Sequence, residues 1–224
     1  MKNYYSKSLN SDKLKRCYDI ASERVKQYLE AEILFVQSKC QPNDVLLDLG
    51  CGYGRVTFRL EEKVNRIIGI DNSEDNIILA NKLCGENSKC EFIKMNAVDL
   101  KFKDNLFDIV ICIQNGISAF RVNPQKLIKE SIRVTKRDGI LLFSSYSEKF
   151  WVDRLEWFKL QSEEELIGEI DYKQTKNGTI VCKDGLELTA FSRDDFLKLT
   201  ATFNVKTTIH EVDNSSIFCE MIVK

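Results

Sequence analysis

Residues 45–55 read Val-Leu-Leu-Asp-Leu-Gly-Cys-Gly-Tyr-Gly-Arg, in which an apolar run meets an acid and then three glycines at alternate positions. Glycines spaced this closely mark a sharp bend or a place where a ligand touches the main chain. A second apolar run at residues 66–71 also ends in an acid. A strand, a glycine loop, a helix and a second strand that ends in an acid together predict a nucleotide-binding βαβ unit.

The composition limits the kind of protein that carries this unit. The 224 residues are enough for one α/β domain with an insertion, and 33 basic against 34 acidic residues leave almost no net charge. A near-neutral chain argues against broad binding of nucleic acid or of an anionic membrane. The sequence has no apolar run as long as a membrane span and no signal-peptide pattern. We therefore expect a cytoplasmic protein, a monomer or a homodimer, that binds neither nucleic acid nor membranes.

The cysteine and histidine contents predict no metal site. The eight cysteines include no C-x-x-C pair, and His210 is the only histidine. Structural zinc sites favour closely spaced cysteine pairs, and disulfides are rare in cytosolic proteins. We expect most of the cysteines to be small core residues and His210 to be structural.

The hydrophobic periodicity predicts alternating helices and strands. A helix over residues 19–39 precedes the glycine loop, and two strands joined by a turn-forming loop close the chain as an antiparallel hairpin. The pattern predicts one domain over residues 1–224, built on a doubly wound, mostly parallel seven-stranded α/β sheet. Residues 1–40 are expected to form a helical cap, and residues 148–190, which interrupt the alternation, are expected to form a substrate lid. The strands are predicted at residues 45–49, 66–71, 90–98, 107–113, 139–146, 205–211 and 217–223.

The glycine spacing distinguishes between classes of nucleotide ligand. The P-loop pattern is absent, and the G-x-G-x-G spacing differs from the G-x-G-x-x-G of dinucleotide folds. Asp48, two residues before the first glycine, would repel a pyrophosphate but suits an ammonium group. The combination D-x-G-x-G-x-G, with an acid that ends the second strand, resembles the class I S-adenosylmethionine-dependent methyltransferases. The resemblance extends from about Gln41 to the terminal hairpin, and it implies a Rossmann-like methyltransferase fold with S-adenosylmethionine as cofactor.

The resemblance assigns residues to the parts of this cofactor. Asp48 and the backbone of residues 50–54 match the motif that holds the methionine end. Asp71 matches the acid that accepts hydrogen bonds from the ribose hydroxyls, and Asn96 stands where relatives contact the adenine amino group. The residues that the resemblance implies in cofactor binding are Asp48, Gly50, Cys51, Gly52, Gly54, Asp71, Asn72, Asn96, Ala97 and Gln114.

Polar side chains at the carboxyl edge of the sheet are the catalytic candidates. By the same resemblance, residues 114–116 would lie beside the sulfonium and the methyl acceptor. Asn115 and Tyr146, which follow the fourth strand and end the fifth, are therefore the best placed polar side chains. Three tyrosines are candidates to close over the site from the N-terminal side, namely Tyr4, Tyr5 and Tyr18.

Three functions fit the sequence. The first is direct displacement of a methyl group to a small-molecule acceptor, which the near-neutral charge and the single insertion favour; alignment of the reactants is its main requirement. The second is methylation of RNA or protein, which requires a local basic groove. The third is a catalytically inactive module that binds the cofactor and acts through a partner. The residues able to supply a basic groove are Lys101, Lys103, Arg121, Lys126 and Lys129.

Overall fold

The computed structural model describes residue 4, residues 11–86 and residues 88–224, so that Tyr5 lies outside the described residues. Its strands are β1 Val45–Leu49, β2 Arg66–Asp71, β3 Cys90–Lys94, β4 Phe107–Cys112, β5 Thr135–Tyr146, β6 Thr179–Val181, β7 Glu187–Thr189, β8 Val205–Val212 and β9 Ser216–Val223. One sheet has the order β3-β2-β1-β4-β5-β9-β8, in which β1 to β5 are parallel and β9 is antiparallel to both neighbours. The predicted fold, a mostly parallel seven-stranded sheet with an antiparallel C-terminal hairpin, is confirmed.

Helices cover both faces of this sheet. They are α1 Ser11–Asp19, α2 Glu23–Gln37, α3 Arg55–Leu60, α4 Glu74–Leu83, α5 Gly116–Ala119, α6 Pro124–Val134, α7 Trp151–Glu163 and α8 Arg193–Thr200. In β1, Leu47 packs in one core cluster with residues of α6, whereas Leu46 packs in another with residues of α2 and α3. Side chains alternate between the faces of a strand, so a strand buried on both faces reads as the continuous apolar run seen in the sequence. No helix in the described part of the chain is both long and apolar enough to cross a membrane.

Three predicted boundaries are wrong. The helix expected over residues 19–39 begins later and ends earlier, as α2 Glu23–Gln37, because Ser22 caps its start by accepting a hydrogen bond from the Val25 backbone amide at 3.3 Å. The third strand ends at Lys94 instead of residue 98, because Asn96 Oδ1 accepts from the Val98 amide at 3.1 Å and closes a local turn. The fifth strand begins earlier than residue 139, at Thr135.

Residues 148–190 lie against the N-terminal part of the chain. This segment contains α7 and the separate β6–β7 hairpin, and it shares a core with buried residues of α1 and α2. Trp157 Nε1 donates to the carbonyl oxygen of Cys17 at 2.8 Å, and the Tyr4 hydroxyl donates to the Asp184 carboxylate beyond β6. Both segments therefore meet at the carboxyl ends of the parallel strands, where α/β sheets bind ligands.

The cysteines are not paired with one another, and the histidine contacts a glutamate on the neighbouring strand. All eight cysteines are free thiols, and those at positions 17, 51, 112, 182 and 219 are buried. His210, in β8, lies with its Nε2 atom 2.9 Å from Glu220 Oε2 on the neighbouring strand. The described residues contain no group of three or more His, Cys, Asp or Glu side chains that could hold a metal ion.

Candidate active site

Two adjoining cavities open at the carboxyl ends of the parallel strands. The larger measures about 140 Å³ and the smaller about 50 Å³. Gly50, Gly52 and Gln114 line both, so the two cavities meet beside the glycine loop. Side chains of the larger cavity come from the strand ends, from α1 and from α7; they include Leu14, Cys17, Tyr18, Asp71, Asn72, Asn76, Met95, Asn96, Ile113, Phe120, Val122, Tyr146, Trp157, Phe158 and Gln161.

The glycine loop has no room for side chains. Gly50 has a φ of +75°, and a Cβ atom added to it would lie 2.4 Å from Phe120 Cε1. Gly54 caps α3 with a φ of +88°, and its added Cβ would lie 2.7 Å from Phe58 Cε2. Left-handed backbone and these close approaches both require glycine. Of the loop residues predicted to bind the cofactor, Gly50 and Gly52 line the larger cavity, Cys51 lines only the smaller one, and Gly54 lines neither.

Asp71 braces the loop from the end of β2. Its Oδ2 atom accepts from the Gly52 amide at 3.1 Å, and its Oδ1 atom accepts from the Ser73 amide at 2.7 Å. Burial raises the pKa of this carboxyl, and the backbone hydrogen bonds oppose that rise. Each carboxylate oxygen has a second lone pair, so Asp71 can accept further hydrogen bonds from a ligand in the cavity that it lines.

Asp48 and Arg55 lie at the smaller cavity. Asp48 is 3% exposed, accepts from Thr57 Oγ1 at 2.7 Å, and has a pKa that burial raises to about 6. The Arg55 guanidinium lies over the Tyr18 ring, 4.4 Å from its centroid. Its Nη2 atom is buried and has no hydrogen-bond partner among the described residues. The cavity therefore presents both an acid and a cation with a free donor, as a zwitterionic ligand group requires.

Arg55 was not among the site residues predicted from the sequence, although it follows directly after the glycine motif. A basic residue at that position could have been read as part of the loop, but only the structure reveals that its Nη2 atom has no protein partner.

The predicted adenine-binding residues, Asn72, Asn96 and Ala97, all line the larger cavity. Asn96 Oδ1 already accepts from the Val98 amide, which leaves it one lone pair for a ligand. Asn76, which the sequence analysis did not single out, is buried beside them and accepts from the Ser11 amide at 2.7 Å.

The two predicted catalytic residues differ in their placement. Asn115 does not line either cavity; its side chain is 2% exposed and its Oδ1 atom accepts from Ser145 Oγ at 2.7 Å. Tyr146 lines the larger cavity, and burial raises the pKa of its hydroxyl to about 12. A phenol with that pKa stays protonated near neutral pH, so Tyr146 can donate a hydrogen bond there but does not act as a base.

Gln114 joins the cavities to a buried glutamate that the sequence analysis did not identify. The backbone amide of Gln114 donates to Glu32 Oε2 at 3.0 Å and to Ser144 Oγ at 2.8 Å. Glu32 is fully buried on α2, and its Oε1 atom also accepts from Ser216 Oγ at 2.6 Å. This glutamate thereby connects the N-terminal helices to the ends of β4 and β5 and to the start of β9.

Glu32 makes the stability of the fold dependent on pH. Burial raises its pKa to about 7, while hydrogen bonds from Ser216, Ser144 and the Gln114 amide oppose the rise. A carboxyl group whose pKa is higher in the folded than in the unfolded chain stabilises the folded state. This stabilisation is complete at a pH below the pKa of the unfolded chain, and it is lost as the pH rises through the pKa of the folded state. We therefore expect the free energy of unfolding of the wild type to fall between pH 5 and pH 8 by about 3 kcal/mol more than that of Glu32→Gln.

Urea unfolding at the two pH values measures this difference. Glu30→Gln is the matched control, because Glu30 is on the same helix but pairs with Arg59 at the surface. An identical pH dependence in Glu32→Gln and wild type would show that Glu32 does not titrate in this range.

Comparison with known proteins assigns the chain to a family. A family model described as a methyltransferase domain matches residues 41–212, which is most of the chain. The chain belongs to the class I S-adenosylmethionine-dependent methyltransferases. The match begins just before β1 and ends in the C-terminal hairpin, so this methyltransferase domain includes the glycine loop and all five parallel strands.

The alignments of this methyltransferase domain with individual relatives cover different shares of the two chains. PH0226 protein from Pyrococcus horikoshii OT3 has the same fold, with a TM-score of 0.70, 23% identity and full coverage of both chains. Demethylmenaquinone methyltransferase from Lactococcus lactis is 39% identical over 42% of this chain and 38% of its own length. 2-Methyl-6-phytyl-1,4-hydroquinone methyltransferase from Synechocystis is 27% identical over 55% of this chain and 41% of its own length. The chain thus matches less than half the length of these two relatives.

Proposed function

We propose that this protein moves a methyl group from S-adenosylmethionine to an uncharged small-molecule acceptor by direct displacement. The observation that carries the proposal is the larger cavity, whose lining combines Asp71 with the aromatic side chains of Tyr18, Phe120, Tyr146, Trp157 and Phe158. Among the described residues that line it, Asp71 is the only one with a carboxylate or a basic side chain. Burial of an unpaired charge is costly, so an uncharged acceptor fits the aromatic end best.

The residues present fit the methyl donor. We assign Asp71 to the ribose hydroxyls, Asn72, Asn96 and Ala97 to the adenine, and the loop at residues 50–52 to the methionine end. Asp48 and the unpartnered Nη2 atom of Arg55 suit the ammonium and carboxylate groups of that end. When bound, S-adenosylmethionine supplies an electrophilic methyl group. The task of the protein side chains is then to align the acceptor with it and to exclude water, which contributes several kcal/mol.

We further propose that residues 148–190 and the helical cap within residues 1–40 form a lid over the acceptor. Trp157 and Phe158 of α7 and Tyr18 of α1 line the aromatic end, and the Trp157–Cys17 hydrogen bond joins the two segments. In this proposal Tyr146 donates a hydrogen bond from the sheet edge, and Asn115 supports the loop after β4 from outside the cavity.

The cavity surroundings favour a small acceptor over RNA or protein. None of the five basic residues considered for a groove lines the cavity. Lys101 pairs with Asp99 at 2.6 Å, and Arg121 donates to the carbonyl oxygen of Gly185 at 2.9 Å. The relatives named for demethylmenaquinone and for a phytyl hydroquinone also support an organic acceptor of low molecular mass.

The test has a donor half and an acceptor half. Calorimetry should detect binding of S-adenosylmethionine, and failure of the folded protein to bind it would refute the proposal. S-adenosylmethionine labelled in its methyl group is then incubated with the protein and, separately, with a low-molecular-mass cell extract, total RNA and a protein fraction. We expect label only in low-molecular-mass products. Label in RNA or protein would favour the second function, and binding without any transfer would favour the inactive module.

A further inference from the structure

We propose that Gln161 is a specificity-determining residue that recognises an uncharged oxygen, such as a carbonyl, on an apolar ring-bearing acceptor. The inference rests on the proposed function, because it concerns the acceptor end of the same cavity. The inference describes the methyl-accepting substrate: it carries one oxygen atom that accepts a hydrogen bond, and this atom lies among aromatic side chains of the cavity.

Gln161 is a buried amide without a partner for its donor group. It lies near the end of α7, its side chain is 3% exposed, and it lines the larger cavity. Its Nε2 atom is buried and has no hydrogen-bond partner among the described residues. An unpaired buried donor costs about 1–3 kcal/mol, so a glutamine at an apolar wall requires a reason that packing alone does not give.

The surroundings of Gln161 are aromatic. Trp157 and Phe158 precede it by one helical turn on the same face of α7, and both line the same cavity. Tyr146, at the end of β5, and Phe120, which follows α5, line the same cavity. A ring-shaped ligand can stack or pack edge-on against these side chains.

A second unpartnered amide lies in the same cavity. Gln114 Oε1 accepts from the Tyr18 hydroxyl at 3.3 Å, which directs the other end of the amide, Nε2, away from Tyr18. This Nε2 atom is also buried and has no partner among the described residues. The lining of the larger cavity, which includes Gln161, has no basic side chain, and a neutral amide donor there matches a neutral oxygen better than a carboxylate or phosphate, which would need a paired charge.

A pair of probes that differ by one oxygen tests this inference. 1-Tetralone and tetralin have nearly the same shape, and only the ketone can accept a hydrogen bond. Equilibrium dialysis measures their binding to protein saturated with S-adenosylhomocysteine. We expect the wild type to bind 1-tetralone about tenfold more tightly than tetralin, as one net hydrogen bond provides.

Two substitutions and one control give the test its specificity. Gln161→Met keeps the length and volume of the side chain but removes the donors, and it should reduce the tenfold preference to about twofold or less. Gln161→Glu replaces the donors with a group that repels a carbonyl, and it should weaken ketone binding below that of tetralin. Gln174→Met is the control, because Gln174 is exposed in the same segment and pairs with Asp171.

The outcomes separate this inference from the proposed function. Unchanged binding of S-adenosylhomocysteine by all variants shows that the donor site is intact. A wild type without preference for the ketone, or a Gln161→Met variant that retains the preference, would overturn the inference while the methyl-donor site stands. Failure of the wild type to bind S-adenosylhomocysteine would instead overturn the proposed function itself.

Discussion

Asp71→Asn is expected to weaken the binding of S-adenosylhomocysteine about 100-fold, as the loss of charge-assisted hydrogen bonds to a ligand predicts. The wild-type carboxylate holds the Gly52 and Ser73 amides at 3.1 and 2.7 Å, so the substitution also loosens the glycine loop. Calorimetry with S-adenosylhomocysteine and with 5′-methylthioadenosine measures the effect. Both ligands carry the ribose, so both should lose a similar factor.

The control for Asp71 is Asp194→Asn, an exposed acid in the first turn of α8. It should leave both affinities within about twofold, because surface charges of this kind contribute little. An Asp71→Asn variant that is folded and binds both ligands as the wild type does would remove Asp71 from the ribose site.

Arg55→Met is expected to weaken S-adenosylhomocysteine about 100-fold and to leave 5′-methylthioadenosine within about twofold. Only the first ligand has the amino-acid carboxylate to which the free Nη2 atom is assigned. The variant removes the cation–π contact with Tyr18 together with a buried nitrogen that has no partner, and because these effects oppose each other we expect only a small change in thermal stability. Calorimetry and thermal unfolding measure the two effects.

Arg59→Met is the matched control for Arg55, since Arg59 is on the same helix and pairs at the surface with Glu30 at 2.6 Å. Equal weakening of both ligands by Arg55→Met would mean that Arg55 shapes the loop without contacting the carboxylate. The contrast between Asp71 and Arg55 therefore tests the orientation of the methyl donor as well as its presence.

The sequence predicted the parts of the fold that depend on short, local signals. The run from Val45 to Leu49 is buried on both faces, and the left-handed backbone at Gly50 and Gly54 requires glycine, so pattern and structure agree there. Helix boundaries and strand ends were less predictable. Ser22 and Asn96 redirect the chain through single side-chain hydrogen bonds, which compete with the regular structure on either side.

A sequence motif describes only those candidate site residues that come from consecutive elements of the chain. The glycine loop and Asp71 come from consecutive βαβ elements, so a motif describes them. Glu32, Arg55 and Gln161 depend on contacts between distant segments, and their buried, unpartnered or bridging state has no sequence signature. Asn115 illustrates the reverse case: it stands at the expected position after β4, but a left-handed backbone with a φ of 60° precedes α5 and its side chain bonds to Ser145.

The floor and roof of the cavity come from separate stretches of the chain. Residues between Gly50 and Tyr146, at the strand ends and the loops that follow them, supply the floor of the larger cavity, whereas α1 and α7, joined by the bond from Trp157 to Cys17, supply the roof. Sequence change in α1 and α7 can therefore alter the roof while the strand ends below keep their geometry. We expect that grafting both helices onto another member of the family would transfer the preference for the methyl acceptor. Grafting α7 alone would place it against an α1 helix whose side chains do not complement it.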